Sequence, residues 1–164
     1  MERRAVLSVS ATAMIAAAFA PIAAGPTLTQ NATSEESQMR VLRIYEDAQG
    51  NSHLEELVIP GGRFRGREDL PATRVYVREY QGSQVIDWMP TTTRQFVFPI
   101  IGGEGTEIEV SNGVRHRVRA GEFFFTEDTK GKGHITRSPA GRRVTLFIRV
   151  PDSFDVVAWA RGNA

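Results

Sequence analysis

Few side chains in this sequence can do chemistry. Cysteine is absent, which removes thiol nucleophiles and thiolate metal ligands, and there are three histidines. The one in a suggestive setting is His134, which closes the run Glu127-Asp128-Thr129-Lys130-Gly131-Lys132-Gly133-His134. Three roles are open to it. It is a metal ligand, a general base oriented by Glu127 or Asp128, or a wall residue hydrogen-bonded to Gln95 or a hydroxyl. A carboxylate against one ring nitrogen fixes the tautomer and raises the basicity of the other, so Glu127 and His134 form a candidate catalytic pair. His116 lies between Arg115 and Arg117, and His53 follows a Gly-Asn turn. Both read as solvent-facing. Gly131 and Gly133, with Lys130 and Lys132, have the look of a phosphate cradle. No helix follows them, so they read as a turn that needs positive φ. The arginine sets 63/65/67 and 115/117/119 read as solvated faces.

The elements that must position these residues follow a period of two from Met39 onward. The runs RVLRIYE, HLEELVIP, TRVYVREY, QVIDW, QFVFPII, TEIEV, VRHRV, EFFFT, HITRS and RRVTLFIRV are short, apolar-alternating and separated by turn residues. In TRVYVREY, Val75 and Val77 share one face, and Tyr76 and Tyr80 the other. QFVFPII is almost continuously apolar, as in a strand covered on both sides. Asn112-Gly113 between TEIEV and VRHRV is a strong hairpin signal. Residues 60–72 read as a loop, and FDVVAWA as a strand or a short helix. The pattern predicts an all-β sandwich or barrel in one domain.

Ahead of this domain, a basic MERR head precedes an uncharged Ala-rich stretch ending in small residues, so residues 1–25 read as a signal peptide. Residues 26–38 read as a polar, flexible leader and residues 39–164 as the barrel domain. The implied location is secreted or periplasmic. Removing residues 1–25 takes away Arg3, Arg4 and Glu2 and leaves the remainder formally neutral. A neutral domain has no general attraction for nucleic acid or for an acidic membrane surface, which leaves a small-molecule ligand as the expected partner.

Four stretches resemble the cupins, double-stranded jelly-roll barrels. They are DWMPTTTRQFVFPIIGG, EIEVSNGVRHRVRAGEFFF, TEDTKGKGH and RRVTLFIRV, and together they look like a small single-domain cupin of the cupin-2 type. The resemblance places Gln95 where a metal-binding glutamate usually stands and Met89 where a histidine does. Only His134 keeps its ligand type. It therefore implies a degenerate metal site, with His134 and Gln95 as the remaining candidates. Two cofactor states stay open: none, or a divalent iron, manganese or zinc ion, or copper. The expected ligand-binding residues are Trp88, Met89, Gln95, Arg94 and His134, with Thr93 and Arg94 facing the barrel mouth. Phe96, Phe98, Phe123, Phe124, Phe125 and Phe147 are expected mostly to line or cover the barrel, which points to a small, mostly apolar cavity. The first functional expectation is an exported cupin that binds a small, mostly apolar ligand. The alternatives are a metal-assisted oxygenase, isomerase or lyase using His134, and a structural or protein-interaction module. Pairing through the sheets makes a homodimer the expected assembly.

Overall fold

The alternating runs become ten strands and one short helix across residues 38–162, the part of the chain that the computed structural model describes. The expected signal peptide and nearly all of the expected leader lie outside the described residues. The strands are β1 (Met39–Glu46), β2 (Ser52–Ile59), β3 (Arg74–Tyr80), β4 (Gln84–Met89), β5 (Gln95–Ile101), β6 (Thr106–Glu109), β7 (Arg115–Val118), β8 (Phe124–Thr126), β9 (His134–Ser138) and β10 (Arg143–Arg149). They form a six-stranded sheet in the order β2-β1-β8-β5-β10-β3 and a four-stranded sheet in the order β4-β9-β6-β7. From β3 to β10 the chain crosses between the sheets at every step except the β6–β7 hairpin, in two interlocked Greek keys, so the strand order is that of a jelly roll. The protein is thus an all-β jelly-roll barrel. The β1–β2 hairpin extends the larger sheet, with β1 running parallel to β8 through Leu42↔Phe124.

Two apolar cores follow from this. Between the sheets, Leu42, Ile44, Val97 and Phe124 pack against Ile108, Val110 and Val118. On the outer face of the six-stranded sheet, Val41, Phe96, Phe123 and Phe125 pack against Phe154, Val156 and Trp159 from the C-terminal segment. Neighbouring residues of one strand therefore serve opposite cores, as Phe96 and Val97 do, which explains the continuous apolar run in β5. Of the six phenylalanines expected mostly to line or cover the barrel, Phe96, Phe98, Phe123 and Phe125 cover its outer face. The reason is that the larger sheet has a second apolar layer to bury.

The FDVVAWA stretch resolves as the helix α1 (Val156–Arg161), capped by Asp155, whose carboxylate accepts from the N–H groups of Val157 and Ala158. Gly162 ends it in the left-handed conformation, and Arg63 donates to the Trp159 carbonyl at 2.9 Å. The bond from the Ala158 N–H holds the Asp155 carboxyl below its usual range. A depressed carboxylate contributes stability that is present above the unfolded pKa and is lost as pH falls through the folded value. Asp155→Ala is expected to cost about 1 kcal/mol at neutral pH. As pH falls through the depressed Asp155 value the variant and the parent should converge, which thermal melts across acidic pH would check.

Candidate functional site

A cavity of about 290 Å³ opens between the sheets on the side of β3 and β4. Its wall is written in the alternation of the strands. Tyr76, Arg78 and Tyr80 come from β3, and Arg143, Thr145, Phe147 and Arg149 from β10. Gln95, Val97 and Pro99 come from β5, Phe124 and Thr126 from β8, and His134, Thr136 and Ser138 from β9. Met89, Pro90, Thr91 and Thr92 close one end. Apolar carbon makes up slightly the larger part of this surface, and hydroxyls, amides and guanidinium groups interrupt it. Only Phe124 and Phe147 of the six phenylalanines reach it.

The lining holds three arginines and neither an aspartate nor a glutamate. Arg143 is 5% exposed. Its nearest acceptors are the Pro139 carbonyl at 3.4 Å and the Gln84 amide oxygen at 3.5 Å, both at the limit of a hydrogen bond. Its guanidinium lies 5.4 Å from the centre of the Tyr80 ring. Arg149 faces Tyr76 at the same distance, and its Nε is buried without a partner. Arg78 caps Tyr80 at 4.9 Å. Burial pushes the Tyr80 phenol up, so it stays a neutral donor at physiological pH. Among the described residues no carboxylate stands within 4 Å of these three guanidinium groups. Outside the cavity the opposite holds: Arg43, Arg63, Arg137 and Arg142, for example, each meet a glutamate.

His134 lies at the other end of the cavity from Arg143. Its Nδ1 is 2.7 Å from Oδ2 of Asp128, a residue with no exposed surface. The second carboxylate oxygen, Oδ1, is buried without a partner. Gln95, Thr91 and Thr126 form a chain beside the histidine: the Gln95 amide donates to the Thr91 hydroxyl at 3.4 Å, and Thr126 donates to the same oxygen at 3.3 Å. The Thr91 N–H in turn donates to the Asp128 carbonyl at 3.1 Å. His134 is held in register opposite Met89, which sits half-exposed at the mouth.

Four of the residues expected in the site stand elsewhere, and three of them do so for two local reasons. Thr126 and Gln95 point inward, so by strand alternation their neighbours Glu127 and Arg94 point to the outer face. There Glu127 pairs with Arg43 and lies 3.4 Å from Arg94, and Arg94 donates to the Phe154 carbonyl at 2.8 Å. The catalytic partner of His134 is therefore not Glu127; the position beside the ring belongs to Asp128. Trp88 does not line the cavity either. The register of β4 shifts between Ile86 and Met89, and the Trp88 ring instead carries the Lys132 ammonium at 4.0 Å. Thr93 is likewise absent from the wall. His116 is exposed, while His53 is partly covered and bonded to Asp47 at 2.8 Å.

The donor set does not fit a divalent metal. Among the described residues no three His, Asp or Glu side chains gather at one point. The one nearby carboxylate, Asp128, is committed to the imidazole. Gln95, the other expected ligand, spends its amide on Thr91 and accepts from the Tyr76 hydroxyl at 3.5 Å. A cation there would meet one imidazole nitrogen, a neutral amide and the positive charge of Arg149, whereas structural and catalytic ions want about three protein donors.

Two solved structures share features of this barrel. A cupin domain from Bordetella pertussis Tohama I is 18% identical, with a TM-score of 0.35, over 52% of this chain and 99% of its own. A putative ethanolamine utilization protein Q from Salmonella typhimurium LT2 is 10% identical, with a TM-score of 0.32, over 71% of this chain and 99% of its own. The strand order, not the likeness, defines the barrel. No protein-family model and no curated protein matches the chain.

The sequence signal for the missed residues was present in two strands. TRVYVREY and RRVTLFIRV each carry a polar face (Tyr76, Arg78, Tyr80; Arg143, Thr145, Arg149) against an apolar one. Taking the apolar face as the interior hides them.

Proposed function

We propose that this chain is an exported jelly-roll protein of the cupin kind that holds a small anion, a carboxylate or another oxyanion, inside its barrel. The observation that carries this reading is Arg143: a buried guanidinium, lining a cavity, with no carboxylate to meet it. Burying a charge costs several kcal/mol unless it is paired, so an unmatched buried cation is stable only where a ligand supplies the counter-charge or where the rest of the fold bears the cost. Arg149 and Arg78 add positive potential, and the Tyr76, Tyr80 and Phe147 rings give a ligand flat walls to lie against. Tyr76 and Phe147 stack at 4.8 Å and form one such wall. A cavity of this size takes a ligand of roughly ten to fifteen heavy atoms at most.

The test is a panel of acetate, succinate, benzoate, pyruvate, 2-oxoglutarate, phenylpyruvate and inorganic phosphate, with choline and glucose as cationic and neutral controls. Thermal melts and titration calorimetry read the outcome. A ligand present at a hundred times its Kd should stabilise the fold by about 2.7 kcal/mol, a shift of several degrees in Tm. The controls should give none. If no anion moves the melt while the controls do, or if nothing does, the reading fails.

A further inference from the structure

We propose that His134 is the catalytic base of a proton-transfer reaction on a small oxo carboxylate, and that Asp128 is its positioning residue. The inference rests on the anion-binding reading above and adds a reaction to it.

The dyad has the parts such a base needs. The Asp128 carboxylate accepts a hydrogen bond from Nδ1–H at 2.7 Å, which leaves Nε2 as the acceptor, and among the described residues Nε2 has no hydrogen-bond partner. The ring forms part of the cavity wall. A histidine that only packs has little use for a fully buried carboxylate, because burying Asp128 with one oxygen unpaired works against folding. An imidazolium formed during a reaction would be stabilised by that same carboxylate.

The register supplies the complementary charge. Arg149 lies opposite Gln95 across β10 and β5, and Gln95 lies opposite Thr126 across β5 and β8. Thr126 and Gln95 both bond to Thr91, whose N–H bonds to Asp128. Arg149, Gln95 and His134 thus gather at one end of the cavity. A neutral imidazole does not remove a proton from an unactivated carbon, so the ligand must carry a carbonyl next to the C–H bond as well as the anionic group. In the step, His134 Nε2 takes the proton, the C–H electron pair moves into the C–C bond, and the carbonyl π pair moves to oxygen. The enolate charge then lies in the positive potential of Arg149, which lines the same cavity. Return of a solvent-exchanged proton to the same carbon gives exchange; protonation of the enolate oxygen instead gives the enol tautomer. No oxidant, reductant or metal is needed for the balance. The charged groups facing His134 are Asp128 from the loop before β9 and Arg149 from β10.

The experiment follows hydrogen–deuterium exchange at carbon 3 of pyruvate, 2-oxoglutarate and phenylpyruvate by proton NMR, in deuterium oxide with the whole protein. At least one probe should bind and exchange faster than in buffer alone. His134→Gln should lower the protein-dependent rate at least a hundredfold while circular dichroism and probe binding persist. Asp128→Asn should lower the plateau rate and leave the half-saturating probe concentration unchanged, because the imidazolium loses the carboxylate that orients and stabilises it. The parent and His134→Asn, measured together, show whether a folding defect lies behind any loss. A probe that binds without accelerated exchange, exchange untouched by His134→Gln, or a cavity that takes succinate, benzoate or phosphate but no oxo acid each overturn the inference and leave anion binding standing. A cavity that takes no anion removes both.

Discussion

Arg143→Met is expected to stabilise the ligand-free protein and to weaken anion binding by two to three orders of magnitude. The two effects have one cause. In the free protein Arg143 is 5% exposed and its best acceptors stand at 3.4 and 3.5 Å, so its burial is poorly compensated. Methionine fills a similar length of cavity with a flexible apolar chain and carries no desolvation cost. Replacing buried charges by apolar side chains of similar volume is neutral or stabilising by about 1–4 kcal/mol. The ligand-bound state answers the opposite way, because the anion would lose a desolvated partner worth about 2–5 kcal/mol. A neighbouring control separates this from a general surface effect. Arg142 is largely exposed and paired with Glu79 at 2.9 Å, so Arg142→Met should leave both stability and binding nearly unchanged. Melts of both variants with and without the tightest anion of the panel give all four numbers. A less stable Arg143→Met that binds as the parent does would make Arg143 a strut between Pro139 and Gln84, and the cavity would need another occupant.

Gly133→Ala should be the most damaging single-methyl change in the domain. Gly133 has φ +72, and a Cβ there would stand 2.1 Å from the Met89 carbonyl carbon and the Pro90 nitrogen. Both are backbone atoms, so no rotamer relieves the clash, and the β4–β9 junction must move. The Gly133 carbonyl also accepts from the buried Ser52 hydroxyl at 2.6 Å, which ties the same turn to β2. Left-handed strain and overpacking together cost about 3 kcal/mol or more, roughly ten degrees in Tm for a domain of this size. Gly113→Ala is the internal comparison. It has φ +81 and open space around the Cβ, so it should bear the conformational term alone, about 1 kcal/mol. Because His134 follows Gly133 directly, any folded fraction of Gly133→Ala should also lose the dyad geometry, visible as a changed imidazole resonance. Equal destabilisation of the two variants would show that the close approach does not hold in solution.

Much of the fold was legible because β structure is written in a period of two. The ten short runs map onto the ten strands, and Asn112-Gly113 marks the β6–β7 turn as the hairpin signal predicts. His134 was legible too, as the one histidine in a loop that must enter a strand. What could not be read was sidedness. An alternating strand announces two faces but not which one looks inward, and here a second apolar layer of Phe154, Val156 and Trp159 claims the apolar face of β5 and β8. That hid the inward Arg143 and Arg149 and sent Glu127 and Arg94 to the wrong side. The choice between Glu127 and Asp128 turned on a single step of the chain, which no spacing argument resolves.

The outer layer has a temporal side. Phe96 and Phe125 reach full burial only against Phe154 and Trp159, which lie beyond the last strand, and β1 finds its parallel neighbour β8 some eighty positions downstream. Apart from the β1–β2 hairpin, early strands thus leave the ribosome with neither sheet neighbour nor cover, since β3 and β4 wait for β10 and β9, and the cooperative unit cannot assemble until almost the entire polypeptide is available. Synthesis and collapse are separated in time, and in that interval the exposed aromatic strands are open to chaperone capture.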